Sequence, residues 1–174
     1  EVGWLLHEGC PIEHLDRAML DAGFPVGPCT LLDEVGIDVG EKVAKILLDG
    51  FGDIVETPLD FEKLRNSGRQ GRKNKKGLYT YDGKKKEVDT EIYDLLDSPQ
   101  AGKNKINISE IQDRGLFRFI NEAILCLEEG VLKDPYSGDL GAVFGLGFPP
   151  FRGGPFKMAD ALGVKAVYDK MAKL

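Results

Sequence analysis

Residues 1–36 and 122–163 carry the same ordered set of marks. Each begins with an apolar helical stretch that ends in Glu-Gly (Glu8-Gly9; Glu129-Gly130). A Gly-Phe-Pro follows (Gly23-Phe24-Pro25; Gly147-Phe148-Pro149), then a Gly-Pro (Gly27-Pro28; Gly154-Pro155). Beyond that proline the spacing is identical, with an Asp five residues on (Asp33; Asp160) and a Gly eight residues on (Gly36; Gly163). Insertions fall only between the marks, where loops belong. A sequence that repeats itself in this way folds as two copies of one supersecondary unit. The periodicity inside each copy makes that unit helical.

In the second copy the opening helix reads as whole. Leu116, Phe119, Ile120, Ala123, Ile124 and Leu127 form one apolar stripe at helical spacing. In the first copy Glu1 opens directly into Val2, Trp4, Leu5 and Leu6, so by analogy about three turns precede it. Pro11 suits a helix start, with Ile12, Leu15 and Met19 inward. Pro28 opens a short helix that Gly36 closes. Asp38 followed by Glu41 reads as the cap of the next helix, where Val39, Val43, Ile46 and Leu47 line one side. Residues 60–66 read as a further short helix. Leu78-Tyr79-Thr80-Tyr81 before Asp82-Gly83 is the one strand-like signal. Residues 97–107, with Ser98, Pro99, Gly102 and Asn104, are polar. The expected organisation is therefore all-α: a first repeat over 1–81, a linker over 82–107 and a second repeat over 108–174.

The apolar fraction of 42% supports a core and argues against disorder. No apolar run reaches membrane-span length. Cys10, Cys29 and Cys126 form no Cys-x-x-Cys pair, which suits buried thiols in a reducing compartment. The net charge of −6 is unevenly spread. Residues 69–86 hold eight cations against Asp82, so the remainder is strongly acidic. An acidic body argues against a nucleic-acid binder. The local basic stretch reads as a solvated loop, the usual state of a charge run. A coenzyme phosphate contact is the sharper alternative.

Catalytic and cofactor patterns are missing. Gly145-Leu146-Gly147 is the nearest approach to a dinucleotide fingerprint, but the next required glycine falls on Pro150 and no strand precedes it. Gly71 to Gly77 lacks the Lys-Ser/Thr of a phosphate loop. His7 and His14 have no ligand cluster around them, so no metal site is indicated, and both read as helix-surface residues. No nucleophile–base set can be assembled. The Gly/Pro clusters at 23–28 and 147–156 read as helix–helix connections. The second, with Phe144, Phe148, Phe151 and Phe156 around it, reads equally as the border of an apolar slot.

GFPVGPCTLLDEVGIDVG (23–40), GRKNKKGLYTY (71–81) and GDLGAVFGLGFPPFRGGPFKMADALGV (138–164) resemble the C-terminal part of the multifunctional fatty acid β-oxidation enzymes. These are the bacterial fatty acid oxidation complex α-subunits and the mitochondrial trifunctional enzyme α-subunit. The resemblance covers essentially the whole chain. It implies two tandem copies of the 3-hydroxyacyl-CoA dehydrogenase C-terminal domain, a fold like the C-terminal domain of 6-phosphogluconate dehydrogenase. It also implies an enoyl-CoA hydratase domain and an NAD-binding Rossmann domain elsewhere in the parent. The His-Glu catalytic pair and the NAD glycines would lie in that Rossmann domain, so no catalytic residue is expected here.

In some members a Tyr just before Gly-Leu-Gly-Phe-Pro contacts substrate, and this chain has Phe144 there. A phenyl ring lines an acyl slot but donates no hydrogen bond. Phe144 is thus the candidate substrate-binding residue, and acyl-CoA the expected ligand. The resemblance further implies a thiolase β-subunit as partner, and KKKEVDTEIYDLL (84–96) resembles the bacterial anaerobic-type subunits. A bacterial cytoplasmic location is expected, with the mitochondrial matrix as the alternative. A non-catalytic helical module that contacts the thiolase subunit is the second functional reading. A continuous exposed apolar patch would favour it, and a narrow groove at Phe144 and Phe148 would favour substrate contact.

Overall fold

The computed structural model describes residues 1–52, 57–98 and 100–174. Its elements are α1 (Val2–His7), α2 (Ile12–Asp21), α3 (Pro28–Val35), α4 (Ile37–Phe51), α5 (Phe61–Asn66), β1 (Tyr79–Asp82), β2 (Lys85–Val88), α6 (Ile108–Glu128), α7 (Pro135–Leu146), α8 (Pro155–Leu162) and α9 (Val164–Met171). Short 3-10 turns occupy Arg72–Asn74, Thr90–Leu95 and Pro150–Arg152. Among the described residues the regular structure is helical apart from one hairpin, whose strands pair antiparallel with Tyr79 opposite Val88 and Asp82 opposite Lys85, and two isolated bridges at Lys76.

Two compact units emerge. The first comprises residues 1–17 and 26–108, the second residues 18–25 and 109–174. Residues 82–107, expected as a linker, belong to the first unit. They supply β2 and the Thr90–Leu95 turn, which buries Ile92. Local pattern misleads here because polar, charged residues ride on a backbone held by hairpin pairing and one buried side chain. Pro99 of that stretch lies outside the described residues.

The core of the first unit is built from Leu5, Leu6, Ile12, Leu15, Cys29, Ile37, Leu64 and Leu78, all essentially inaccessible. That of the second gathers Ala22, Leu116, Phe117, Ile120, Ala142, Phe148, Met158, Ala159 and Val167. Phe148 sits edge-on to Phe24 and tilted against Phe119, with ring centroids 6.1 and 5.1 Å away. The α6 stripe is buried at its N-terminal and central turns through Ile111, Leu116, Phe117 and Ile120, whereas Ile124 is exposed.

Each copy runs in the same order: a helix ending at Glu-Gly, a second helix, Gly-Phe-Pro, an eight-residue helix begun by proline, and a further helix. The hinge glycines match closely. Gly36 has φ 104° and ψ 137°, and Gly163 has φ 86° and ψ 131°. That region is closed to residues with a Cβ, which accounts for glycine eight residues after each proline. The cap of α4 differs from the sequence expectation. Gly36 is the N-cap, while Asp38 lies inside the first turn and pairs with Lys73.

Candidate functional site

The most constrained polar groups lie where α3 and α8 begin. Both helices follow a glycine N-cap, Gly27 or Gly154, which has no side chain to satisfy the first free amides. A carboxylate from the preceding helix takes over. Asp16 accepts from Cys29 N at 2.7 Å and Thr30 N at 3.1 Å. Asp139 accepts from Phe156 N at 2.8 Å and Lys157 N at 3.2 Å. The glycines allow that approach: a Cβ on Gly27 would lie 2.3 Å from Asp16 Cγ, and one on Gly154 would lie 2.2 Å from Asp139 Oδ1. Neither aspartate stood out in the sequence. The usable signal was an Asp in the helix before each Gly-Pro.

In the first copy this cap is the seed of a larger network. Asp16, 3% exposed, also accepts from Thr30 Oγ1 at 2.5 Å and from the Tyr79 hydroxyl at 2.9 Å. Lys86 Nζ lies 3.8 Å from it and stands over the Tyr79 ring. Asp33 anchors the hairpin in the same way, accepting from Leu78 N at 2.8 Å, Tyr79 N at 2.9 Å and the Tyr81 hydroxyl at 2.9 Å. Burial pushes the Asp33 carboxyl above its ordinary range, and the three donors oppose that shift. Burial, with Asp16 and Asp33 respectively beside them, raises the Tyr79 and Tyr81 phenols as well. The Cys29 thiol is raised by burial and by the adjacent Asp16, which suits an inert structural cysteine. Asp160, the counterpart of Asp33, is exposed. Only the first copy has a hairpin for that aspartate to hold.

Apart from Arg69 the cations of the basic stretch are largely exposed, as expected of a solvated run, but most are paired. Arg69 is buried, donating to Gly77 O at 2.7 Å and pairing with Asp89 at 2.8 Å. Arg72 pairs with Glu34, Lys73 with Asp38 and Lys76 with Glu91. Most of the apparent positive charge is therefore spent on acids of the same unit. Reversal of Lys73, Lys75 and Lys76 to Glu in a full-length subunit is expected to lower its melting temperature while leaving KM for acyl-CoA unchanged. Steady-state kinetics beside a thermal melt check this, and a raised KM would restore a coenzyme phosphate role.

His14 Nε2 donates to Ile106 O at 2.8 Å, and His7 is half-buried with Trp4 edge-on to it. Among the described residues neither ring is paired with a carboxylate. No set of metal-ligating side chains occurs among the described residues. No described helix is long and apolar enough to cross a membrane. The three cysteines form no disulfide with one another, with Cys10 and Cys29 buried and Cys126 half-buried.

The four phenylalanines expected around one slot separate. Phe148 and Phe156 enter the core of the second unit, the latter against Gly138. Phe144 and Phe151 stand outside at 84% and 73% exposure. Phe144 shares its strip of α7 with Tyr136 and Leu140, spaced four apart and all exposed. Beside them Gly141 and Gly145 leave bare backbone with nothing within 4 Å of an added Cβ. Tyr136, Leu140 and Phe144 carry no acid, imidazole or cation, so this face suits burial against another apolar surface.

Against known proteins, the family described as 3-hydroxyacyl-CoA dehydrogenase, C-terminal domain, matches residues 1–81. Residues 1–81 are a member of that family. Over 98% of its length the chain is 49% identical to the fatty acid oxidation complex subunit alpha of Vibrio parahaemolyticus, of which it covers 24%. The counterpart from Idiomarina loihiensis is 49% identical over the whole chain and 25% of that protein. The chain thus spans about a quarter of the length of the curated relatives it matches. The crystal structure of the dehydrogenase part of multifunctional enzyme 1 from C. elegans shares the fold. It has a TM-score of 0.64 and 31% identity, over 83% of this chain and 33% of that one. The resemblance carried by the 23–40, 71–81 and 138–164 motifs agrees with these relatives and with the family matched over residues 1–81.

Proposed function

We propose that this chain is the helical C-terminal part of an NAD-dependent 3-hydroxyacyl-CoA dehydrogenase within a bacterial cytoplasmic fatty acid oxidation α-subunit. The observation that carries this reading is near-complete coverage of the chain at 49% identity by subunits of that name. In this reading the chain comprises two copies of the dehydrogenase C-terminal unit, the first centred on residues 1–81 and the second on 108–174. The hydratase and NAD-binding domains belong to the remainder of the subunit, and a thiolase subunit is the partner.

The nicotinamide cofactor supplies hydride acceptance when bound, and the residues here do not fit it. A dinucleotide pyrophosphate needs free amides at a helix start. At α3, α7 and α8 those amides already serve Asp16, Asp134 and Asp139, and the uncapped starts of α4 and α9 follow no strand and carry no Gly-x-Gly-x-x-Gly. The role left to this chain is to shape the acyl side of the cleft. Tyr136, Leu140 and Phe144 offer about one helical face of apolar surface, worth roughly 25 cal/mol per Å² covered. Titration calorimetry on the isolated chain is expected to show no NAD binding. A micromolar dissociation constant would contradict the assignment of the cofactor to another domain.

A second reading is favoured by one observation. Phe144 projects outward while Phe148 is fully buried, so the two do not line a shared groove. An exposed apolar strip of this kind also suits contact with another domain or with the thiolase subunit. Sedimentation of the α–β complex separates the readings. A Phe144→Ala variant that assembles normally but discriminates against long acyl chains supports substrate contact. One that dissociates with chain-length preference intact supports assembly.

A further inference from the structure

α4 is a 15-residue helix whose apolar side is exposed among the described residues. Val39, Val43 and Ile46 are 37, 47 and 68% exposed, on one face with Gly50, which has open space around it. The polar side carries Glu41, Lys42, Lys45 and Asp49, and Glu41 pairs with Arg65 of α5. The 39, 43, 46, 50 spacing is that of a helix seam.

The second copy shows what such a helix meets. There the hinge glycine Gly163 leads into α9, as Gly36 leads into α4. α9 is touched by the N-terminal half of α6: Lys170 pairs with Asp113 at 2.7 Å and lies 5.2 Å from the Phe117 ring centre. Counting from the hinge glycines, Lys170 corresponds to Val43. α6 has 21 residues, whereas its counterpart α1 has 6. The part of α6 that contacts α9 therefore corresponds to residues that would precede Glu1. Backbone hydrogen bonding in α1 already reaches Glu1, whose carbonyl accepts from Leu5 N at 2.8 Å. Gly3 of α1 abuts Thr57 and Leu59, between α4 and α5.

We infer that the apolar face of α4 is the docking surface for the stretch of some fifteen residues immediately upstream of Glu1 in the full-length subunit, folded as a continuation of α1. Fifteen helical residues span about 22 Å, the length of α4. The curated relatives, of which this chain covers about a quarter, have ample further chain. The inference rests on the reading of this chain as part of such a subunit.

The test uses the full-length subunit with the photocrosslinking residue p-benzoylphenylalanine at Val43, and separately at Ile46. Crosslinks mapped by mass spectrometry are expected within the same chain, to the fifteen residues before Glu1. They should be lost when the probe moves to Lys45 on the polar side. A crosslink to another subunit, to a second copy or to a remote domain overturns the inference, and so does equal yield from Lys45. An Ile46→Glu variant reads the same contact without a probe. Its expected result is a melting temperature lower by roughly 5 °C or more, and an unchanged value overturns it. Dehydrogenase activity of the unmodified subunit, measured alongside, tests the parent reading separately.

Discussion

Replacement of Asp16 by alanine is expected to destabilise the first unit by about 3–5 kcal/mol, a large share of the stability of any domain. Four donors converge on that carboxylate: Cys29 N, Thr30 N, Thr30 Oγ1 and the Tyr79 hydroxyl. Each is left unpaired in the variant, and an unsatisfied buried donor costs on the order of 1–3 kcal/mol. Asp16→Asn should lose less, because one amide oxygen still accepts. Asp139→Ala, with two backbone donors at a half-buried site, should lose about 1 kcal/mol, the usual worth of a helix cap. Denaturant unfolding of the three variants checks the order. Equal losses at Asp16 and Asp139 would mean that the Tyr79 and Thr30 contacts contribute nothing.

Two phenylalanines four residues apart should behave oppositely. Phe148→Ala is expected to cost about 3–5 kcal/mol, because its ring fills the second core between Phe24 and Phe119. Phe144→Ala should change stability by less than about 0.5 kcal/mol, since its ring is 84% exposed. Thermal melts decide this. A large loss at Phe144 would mean that the ring is covered in the protein as it functions, as an assembly contact would be.

The sequence revealed architecture better than surface. The paired Gly-Phe-Pro, Gly-Pro and trailing Gly marks were legible because each encodes a backbone constraint, and both copies obey it at Gly36 and Gly163. The hairpin at residues 79–88 was readable in part from its Asp82-Gly83 turn. Features set by tertiary pairing were not legible. The basic run looked solvated because its acidic partners, Glu34, Asp38, Asp89 and Glu91, lie elsewhere in the chain. The α4 stripe read as an ordinary helix face, and hydrophobic periodicity does not say what covers it. The clustered phenylalanines suggested one slot, yet side-chain direction on α7 sends Phe144 outward while the turn after it sends Phe148 in. The capping aspartates escaped notice because their amide partners are 13 and 17 residues away.

The proposed acyl-side wall, with Phe144 on its contact face, is tested by kcat/KM of the full-length Phe144→Ala subunit on short and long 3-hydroxyacyl-CoA substrates. A loss of roughly ten-fold is expected on the long substrate, equivalent to about 1.4 kcal/mol, with little change on the short one. An equal loss on both substrates, or none on either, would contradict it.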